Sequence, residues 1–324
     1  MRRRELLIAS AAFLAAPFVL AQKAGQLPRI GLLWIHAGAS APFIDAFRDG
    51  MRALGYVEGK NISIDERSLV DGYDGLAAAA TRLATEKVAV ILAYGTTAVS
   101  TAHKAAPGIP IVMVAAGDPI KLGVASSLAR PGGNVTGFTT ISEDLSGKRL
   151  ELLREIVPGM RRFAVVLYPG SASEVGSLRS YVATAQAMNL EMRPVEIRSV
   201  AEIESAIAGI AKMEVQAIAV VGSTLFNANR DRLVAAITRL RTPAIYSGIT
   251  LAEAGGLVAY AVNVVENFRR SAVYVDKILK GAKPGDLPIE QPTRIELVVN
   301  LKTARALELK IPQAVLIRAD RVIE

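Results

Sequence analysis

The sequence contains no cysteine and only two histidines among its 324 residues. The absence of cysteine excludes a disulfide framework, a thiol nucleophile and an attachment site for lipid. His36 and His103 have no acidic residue spaced with them as in a metal site or a catalytic triad. The motifs GxGxxG and GxxxxGK[ST] are also missing after the first predicted strand. We therefore predict no catalytic residue, no metal and no cofactor.

Long apolar runs are missing as well, except at the N-terminus. Three arginines, Arg2 to Arg4, precede the apolar run Leu6–Leu20, and Ala21 closes a small-residue cleavage pattern. The run is shorter than the ~20 residues that span a bilayer comfortably. We therefore predict a signal peptide over residues 1–21, with a membrane anchor as the alternative. The arginines leave Sec and twin-arginine export both open. The mature chain is expected to be periplasmic, soluble and not tethered by lipid.

The charge of the chain is positive but dispersed. The formal net charge is +8, and residues 1–21 contribute three Arg and one Glu. Lysine and arginine are spread along the chain and form no block of five or six. A patch for nucleic acid would concentrate them on one stretch or face. The composition thus favours a solvated basic surface, and no nucleic-acid partner is expected.

The remaining chain alternates between segments typical of strands and of helices. The run Arg29–Ile35 is continuously apolar, as in a strand covered on both faces. A helix is predicted to follow it as far as Leu54, where Gly55 ends it. Further strands are predicted at "NISIDERS", "VAVILAY" and "IPIVMVAA", with helices at "LAAAATRLATEK" and "STAHKAA". This alternation predicts a doubly wound parallel sheet.

The same plan occurs twice. "RFAVVLYPGSAS" has the pattern of "RIGLLWIHAGAS", a strand followed by a loop of small residues. A later buried strand ends in Gly95-Thr96-Thr97 in the first half and in Gly222-Ser223-Thr224 in the second. The predicted fold class is therefore α/β, with two similar doubly wound parallel-sheet lobes and a cleft between them.

The loops after the strands are the predicted binding site, because ligands in open parallel sheets lie outside the carboxyl ends of the strands. Their hydroxyls and the nearby helix N-termini suit a carboxylate or another anion. Asp118 is a candidate partner for an ammonium or a hydroxyl, although it could instead cap the turn before Pro119. Tyr94, Tyr168 and Tyr246 end strands and form either an aromatic wall or part of the core. The candidates from these loops are His36, Tyr94, Gly95, Thr96, Thr97, Asp118, Pro119, Ser223, Thr224, Ser247 and Gly248.

Several segments together resemble the periplasmic substrate-binding proteins of ABC transporters, in the subgroup with tryptophan- and tyrosine-binding members. The resemblance covers almost the entire mature chain. Its segments are "FRDGMRALGYVEGKNISID", "VAVILAYGTTAV", "IPIVMVAAGDPIKLGVASSLARPGGNVTGF", "LSGKRLELLREIVPG" and "LPIEQPTRIELVVNLKTARALELKIP". It implies a two-lobed type I periplasmic binding protein without catalytic activity. Such a receptor captures a small solute in the cleft and passes it to the permease and ATPase subunits of an importer; we expect a monomer.

The resemblance also implies domain boundaries and site residues. Lobe 1 would comprise residues 28–139 and 258–286, and lobe 2 residues 140–257 and 287–324. Three hinge crossings would then lie near Thr139, Leu257 and Leu287, with Asn263 close to the cleft. Thr96, Thr97, Asp118, Pro119, Ser223 and Thr224 are carried over as ligand-binding positions. Many members have a lipid-attachment cysteine, and its absence here puts surface tethering in doubt.

Two other functions remain compatible with the sequence. A sensory receptor would use the same clamp but dock on a signalling partner. An α/β enzyme acting on a sugar or nucleotide is the third interpretation, and the missing acid–base pairs argue against it. Among solutes, amino acids and related carboxylates fit the small hydroxyl-rich loops, and sugars and aromatic acids use similar groups.

Overall fold

A computed structural model describes residues 27–35, 41–69, 73–140 and 143–324. The predictions for the signal peptide and for His36 lie outside these residues. In the first part of the chain the elements are β1 (Arg29–Ile35), α1 (Ala41–Ala53), β2 (Ser63–Leu69), α2 (Leu76–Thr85), β3 (Val90–Tyr94), α3 (Thr96–Ala105), β4 (Ile111–Ala116) and β5 (Val135–Thr139). Each of these elements except β5, which was not predicted, overlaps a strand or helix that the apolar pattern predicts, although α3 begins four residues before the predicted segment "STAHKAA".

The second part repeats the plan and is followed by a C-terminal part. The second set is α4 (Leu145–Ile156), β6 (Arg162–Leu167), α5 (Ala172–Ala187), β7 (Glu191–Glu196), a 3-10 turn (Val200–Glu202), α6 (Ile203–Ile210), β8 (Ala217–Val220), α7 (Thr224–Ala228), α8 (Arg230–Arg239), β9 (Ala244–Tyr246), α9 (Ile249–Glu253) and β10 (Val258–Ala261). The C-terminal part is α10 (Val264–Leu279), a 3-10 turn (Pro284–Asp286), β11 (Ile289–Glu290), β12 (Glu296–Asn300), α11 (Leu301–Ala306), α12 (Gln313–Arg318) and β13 (Arg321–Ile323).

Two sheets form the centres of two lobes, and they share the order of their first five strands. The first has the order β2-β1-β3-β4-β5-β11, and all its strand pairs are parallel. The second has the order β7-β6-β8-β9-β10-β12-β13, where only the pair β10–β12 is antiparallel. The first five strands of each lobe therefore follow one order, which confirms the predicted pair of similar doubly wound lobes.

The lobe boundaries differ from the predicted ones in the C-terminal part. β10 pairs with β9, so residues 258–261 belong to the second sheet and not to the first. β11 pairs with β5, so Ile289 and Glu290 belong to the first sheet and not to the second. The chain changes lobes three times: after β5, between β10 and α10, and between β11 and β12. The second change is placed before α10 because this helix packs against α1 and β4 of the first lobe. The predicted crossings at Leu257 and Leu287 therefore fall a few residues too early.

Each sheet is covered by apolar side chains on both faces. In β1, Leu32 and Trp34 point into one layer with Phe268 of α10, while Leu33 points into the other layer with Leu83 of α2. This alternation follows from the two-residue period of a strand. Burying such side chains contributes about 1.5–3 kcal/mol each. The continuous apolar strands are thus explained by helices on both sides. Within the described residues, no helix is long and apolar enough to cross a membrane.

Candidate functional site

The carboxyl ends of the strands of both lobes meet at one cleft. The first lobe contributes the residues after β3, and the second contributes the starts of α5 and α7 together with residues of α4. They enclose a cavity of about 70 Å³. Its polar and charged lining residues are Tyr73, Tyr94, Thr96, Thr140, Arg149, Ser171, Ser173, Glu174, Ser177, Ser223, Thr224, Asn227 and Ser247.

Hydrogen bonds join the two lobes across this cavity. Thr96 Oγ1 donates to Ser173 Oγ over 2.9 Å, and Asn227 Nδ2 donates to the Tyr94 hydroxyl over 2.8 Å. The hydroxyls of Tyr73 and Thr224 lie 2.7 Å apart. The ring of Tyr73 also stacks on that of Tyr168, with 4.7 Å between the ring centroids. The lobes are therefore in direct contact, and the cleft is closed.

Two glycines of the first lobe make this close approach possible. Gly95 has φ = +85° and precedes α3. A Cβ on Gly95 would collide with Cγ2 of Thr224, and one on Gly117 would lie 2.8 Å from Cβ of Ser173. Thr224 and Ser173 belong to the second lobe, so both collisions would occur between lobes. Glycine at these strand ends therefore admits the side chains of the opposite lobe.

Arg149 places a positive charge on the cavity wall. It lies on α4 and is only 1% exposed, and its Nε donates to the Tyr260 carbonyl over 2.8 Å. Burial lowers the pKa of Arg149, while the neighbouring Tyr181 opposes that effect. A guanidinium remains protonated at neutral pH even so. The second lobe thus presents a fixed cation to any solute in the cavity.

Glu174 places a carboxyl group on the same wall. It lies in the first turn of α5, is 2% exposed and accepts the backbone N–H of Tyr168 over 2.8 Å. Burial raises the pKa of Glu174 well above its usual value, and the Tyr168 N–H and the nearby Ser223 hydroxyl only partly offset this. Ser223 is close by and 5% exposed, and its Oγ has no hydrogen-bond partner among the described residues. A polar ligand would supply that missing partner.

Six of the predicted residues line this cavity together: Tyr94, Gly95, Thr96, Ser223, Thr224 and Ser247. The other predicted positions in the described residues lie elsewhere. Asp118 and Pro119 line a neighbouring cavity of about 310 Å³, and Gly248 and Asn263 line another of about 300 Å³. Thr97 borders none of the three cavities.

The contacts of Asp118 and Asn263 are those of capping residues. Asp118 Oδ1 accepts the backbone N–H groups of Ile120 and Lys121 over 2.9 and 3.2 Å. This is the turn cap that the sequence left open as an alternative. Asn263 accepts the N–H of Glu266 at the start of α10. The Asp118 carboxylate thus binds local backbone groups, while Asn263 also donates through Nδ2 to Glu296 Oε1 of β12 over 3.0 Å, and both residues lie outside the central cavity.

The three strand-end tyrosines have different surroundings. Tyr94 lines the cavity, and burial raises the pKa of its hydroxyl to about 12. Tyr168 is half-buried and stacks on Tyr73. Tyr246 lies in the core of the second lobe against Gly256, so it forms no part of an aromatic wall. Tyr94 therefore lines the site directly, and Tyr168 contacts it through Tyr73.

Sequence reasoning missed Arg149, Glu174, Tyr73 and Asn227, whereas Ser173 ends one of the small-residue loops that the sequence predicts at the cleft. Arg149 shares the buried face of α4 with Leu145 and Leu152, and a charge on an apolar helix face was the available signal. Glu174 stands three residues after Ser171, a spacing typical of a local capping box. The Ser171 side chain makes no cap bond in the structure. Within the described residues no cluster of His, Asp and Glu could hold a metal.

Comparison with known proteins agrees with this architecture. The family model for ABC transporter substrate binding proteins matches residues 35–323. The tyrosine-binding protein of Clostridioides difficile (strain R20291) is 26% identical over 276 residues, which is 84% of this chain and 77% of that protein.

Two solved structures share the fold. A conserved domain protein from Vibrio cholerae has a TM-score of 0.80 and 26% identity, covering 92% of this chain and 100% of its own. The ABC domain from Streptococcus pneumoniae, solved in complex with L-Trp, has a TM-score of 0.83 and 23% identity with the same coverage. The predicted type I periplasmic binding protein fold is confirmed; one of these relatives is named for binding tyrosine, and another was solved with bound L-Trp. This chain belongs to the ABC transporter substrate-binding protein family.

Proposed function

We propose that this protein captures a small zwitterionic or carboxylate solute between its lobes and delivers it to an ABC importer. The observation that carries the proposal is the buried Arg149 on the wall of an otherwise hydroxyl-rich cavity. A buried cation attracts an anionic group strongly because little water screens it. A guanidinium also matches a carboxylate in shape and can bind it through two parallel hydrogen bonds.

The first lobe completes the site with hydroxyls and backbone groups. Thr96 is the first residue of the ten-residue helix α3, whose free N–H groups favour a negative charge nearby. Ser223 and Thr224 stand opposite on the second lobe. A carboxylate held between them would contact both lobes, and only such a shared contact favours the closed state over the open one.

Aromatic and branched amino acids are the leading class of solute. The tyrosine-binding relative supports this class. The central cavity of about 70 Å³ is smaller than the ~300–1,000 Å³ of ordinary ligand pockets. The side chain of an amino acid would therefore extend into a flanking cavity. In the cavity of about 300 Å³, Phe43, Ile249 and Val262 can contact an apolar group, while charged residues such as Glu253 and Arg269 line the rest of the wall.

Delivery requires the permease and ATPase subunits of an importer, and we propose that the protein meets them as an exported monomer. The family supports this role. Membrane vesicles that contain the importer should take up the radiolabelled solute in an ATP-dependent manner only when this protein is added. Ligand binding without any such uptake would favour the sensory alternative.

The binding proposal is tested by a thermal-shift screen of amino acids, sugars and nucleotides. A ligand at a hundredfold excess over its dissociation constant stabilises the folded protein by ~2.7 kcal/mol. Arg149→Met should weaken the binding of the best amino acid by about 2–5 kcal/mol. Arg154→Met, on the exposed side of the same helix, is the matched control and should leave it unchanged. A thermal shift with nucleotides alone would overturn the proposal.

A further inference from the structure

We infer that Glu174 binds the ammonium group of an amino acid and releases a proton to solvent as it does so. The inference rests on the proposed function and makes it more specific, because it limits the preferred solutes to those with an amino group. It starts from two observations at one place: a buried carboxyl group on the cavity wall and, beside it, the buried unpartnered hydroxyl of Ser223.

The geometry of the carboxyl group leaves room for a ligand. Oε2 of Glu174 accepts the Tyr168 N–H, which holds the side chain at the start of α5. A carboxylate offers about four lone-pair positions, so it can accept an ammonium in addition. Ser223 Oγ can accept from the same ammonium or bind the carboxylate of the solute. The carboxyl group is thus held in place at the wall of the cavity.

Glu174 shares its cavity wall with a cation and with phenol groups. Arg149 of α4 lines the same cavity, and Tyr73 and Tyr168 contribute phenol groups that are neutral at physiological pH. Asp74, next to Tyr73, adds a negative charge near Tyr168. Arg149 and Glu174 therefore provide opposite charges for the carboxylate and the ammonium of one zwitterion. A solute with only a carboxylate would use Arg149 and leave Glu174 without an ionic partner.

Proton release follows from the burial of Glu174. In the ligand-free protein, burial raises the pKa of Glu174 well above the usual range of a glutamate, so the group keeps its proton to a higher pH. An adjacent ammonium favours the ionised carboxylate and lowers that pKa again. The protonated carboxyl and the ammonium thus combine into a carboxylate–ammonium pair, and the carboxyl proton leaves to solvent. Charge and atoms balance without any other reactant.

Calorimetric titration of the full chain with L-tyrosine and with 3-(4-hydroxyphenyl)propionate, which lacks the amino group, tests the inference. Each titration is repeated at several pH values in two buffers that differ in ionisation enthalpy. We expect proton release with L-tyrosine at pH values below the raised pKa of Glu174. Its affinity should rise about tenfold for each pH unit there and become constant above that pKa. The propionate should release no proton from this group.

Glu174→Gln is the matched variant, because an amide oxygen can still accept the Tyr168 N–H. It should lower the affinity for L-tyrosine by roughly 30-fold or more, abolish proton release and leave the propionate affinity unchanged. Glu151→Gln, an exposed glutamate on α4, is the control and should change nothing.

The two proposals fail in different ways. Binding of L-tyrosine without proton release, or with equal affinity to Glu174→Gln, would overturn the inference and leave the receptor function intact. Binding of neither probe by the wild-type protein would overturn the proposed aromatic solute class and the inference with it. The proton count of the wild-type protein needs no variant, so it decides the question even if Glu174→Gln does not fold.

Discussion

Gly117→Ala should weaken ligand binding by preventing complete closure of the cleft. The backbone of Gly117 does not have a positive φ angle, and inside the first lobe the added Cβ would meet Thr96 Oγ1 at 3.3 Å, which requires a shift of only a few tenths of an ångström. The added Cβ would lie 2.8 Å from Cβ of Ser173 on the second lobe. Carbon atoms in contact prefer about 3.5–4.0 Å, so the lobes must separate by about 1 Å at this point.

The cost can be estimated from the interactions that such a separation breaks. Thr96 Oγ1 donates to Ser173 Oγ over 2.9 Å, and an added ~1 Å exceeds the range of a hydrogen bond. One such bond contributes about 0.5–1.5 kcal/mol, and a ligand contact across the same gap contributes a similar amount. We therefore expect about 1–3 kcal/mol weaker binding, or roughly 5- to 150-fold, with the fold unchanged.

The assay combines calorimetry with small-angle scattering. Gly117→Ala should bind the best amino acid of the screen more weakly and show a larger radius of gyration at saturation than the wild-type protein. Gly108→Ala is the matched control, because nothing lies within 4 Å of its added Cβ. In a Ser173→Gly background, which removes the colliding atom, Gly117→Ala should cost almost nothing. Equal costs in both backgrounds would refute the steric explanation.

Two further predictions concern carboxyl groups. Asp118→Asn should leave ligand affinity unchanged, because an amide oxygen can still accept the N–H of Ile120 and of Lys121; a large loss of affinity in calorimetry would contradict this. Burial raises the folded-state pKa of Glu174, so ionising this carboxyl group costs more free energy in the folded than in the unfolded protein. The stability that the protonated group contributes is therefore complete below the unfolded pKa of about 4.3, and it declines as the pH rises through the folded-state pKa. In thermal denaturation without ligand, Glu174→Gln should therefore gain stability relative to the wild-type protein as the pH rises from about 4 towards the folded-state pKa, and parallel curves would contradict the burial argument.

The repeated lobe was predictable because a strand buried on both faces needs a continuous apolar run. Arg29–Ile35 and Arg162–Leu167 have this pattern, and each begins a lobe. The lobe to which β10 and β11 belong was not predictable. β11 contains only two residues, Ile289 and Glu290, and joins β5 from about 150 positions away. Local periodicity contains no information about such a pairing.

Part of the binding site could likewise be predicted from the sequence, and part could not. The hydroxyl loops were predictable because parallel strands bring their carboxyl ends together, and Thr96, Ser223 and Thr224 meet for this reason. The position of Arg149 in the site was not predictable, because this residue lies in the middle of a helix. Only the packing of α4 against the second sheet directs its side chain to the cavity. Glu174 has the spacing of a local cap, so its access to the cavity depends on the position of the opposite lobe.

The two lobes contribute different chemistry, and this asymmetry implies an order of events. Arg149 and Glu174 both belong to the second lobe, whereas the first lobe provides Thr96 and the two glycines that allow close approach. A zwitterionic solute can therefore satisfy both of its charges on the second lobe while the cleft is open. The first lobe then adds hydrogen bonds from its hydroxyls that exist only after closure. Only interactions that form on closure shift the balance between the open and closed states. Under the proposed function, Thr96 and its neighbours determine closure, while Arg149 and Glu174 determine which solute is accepted.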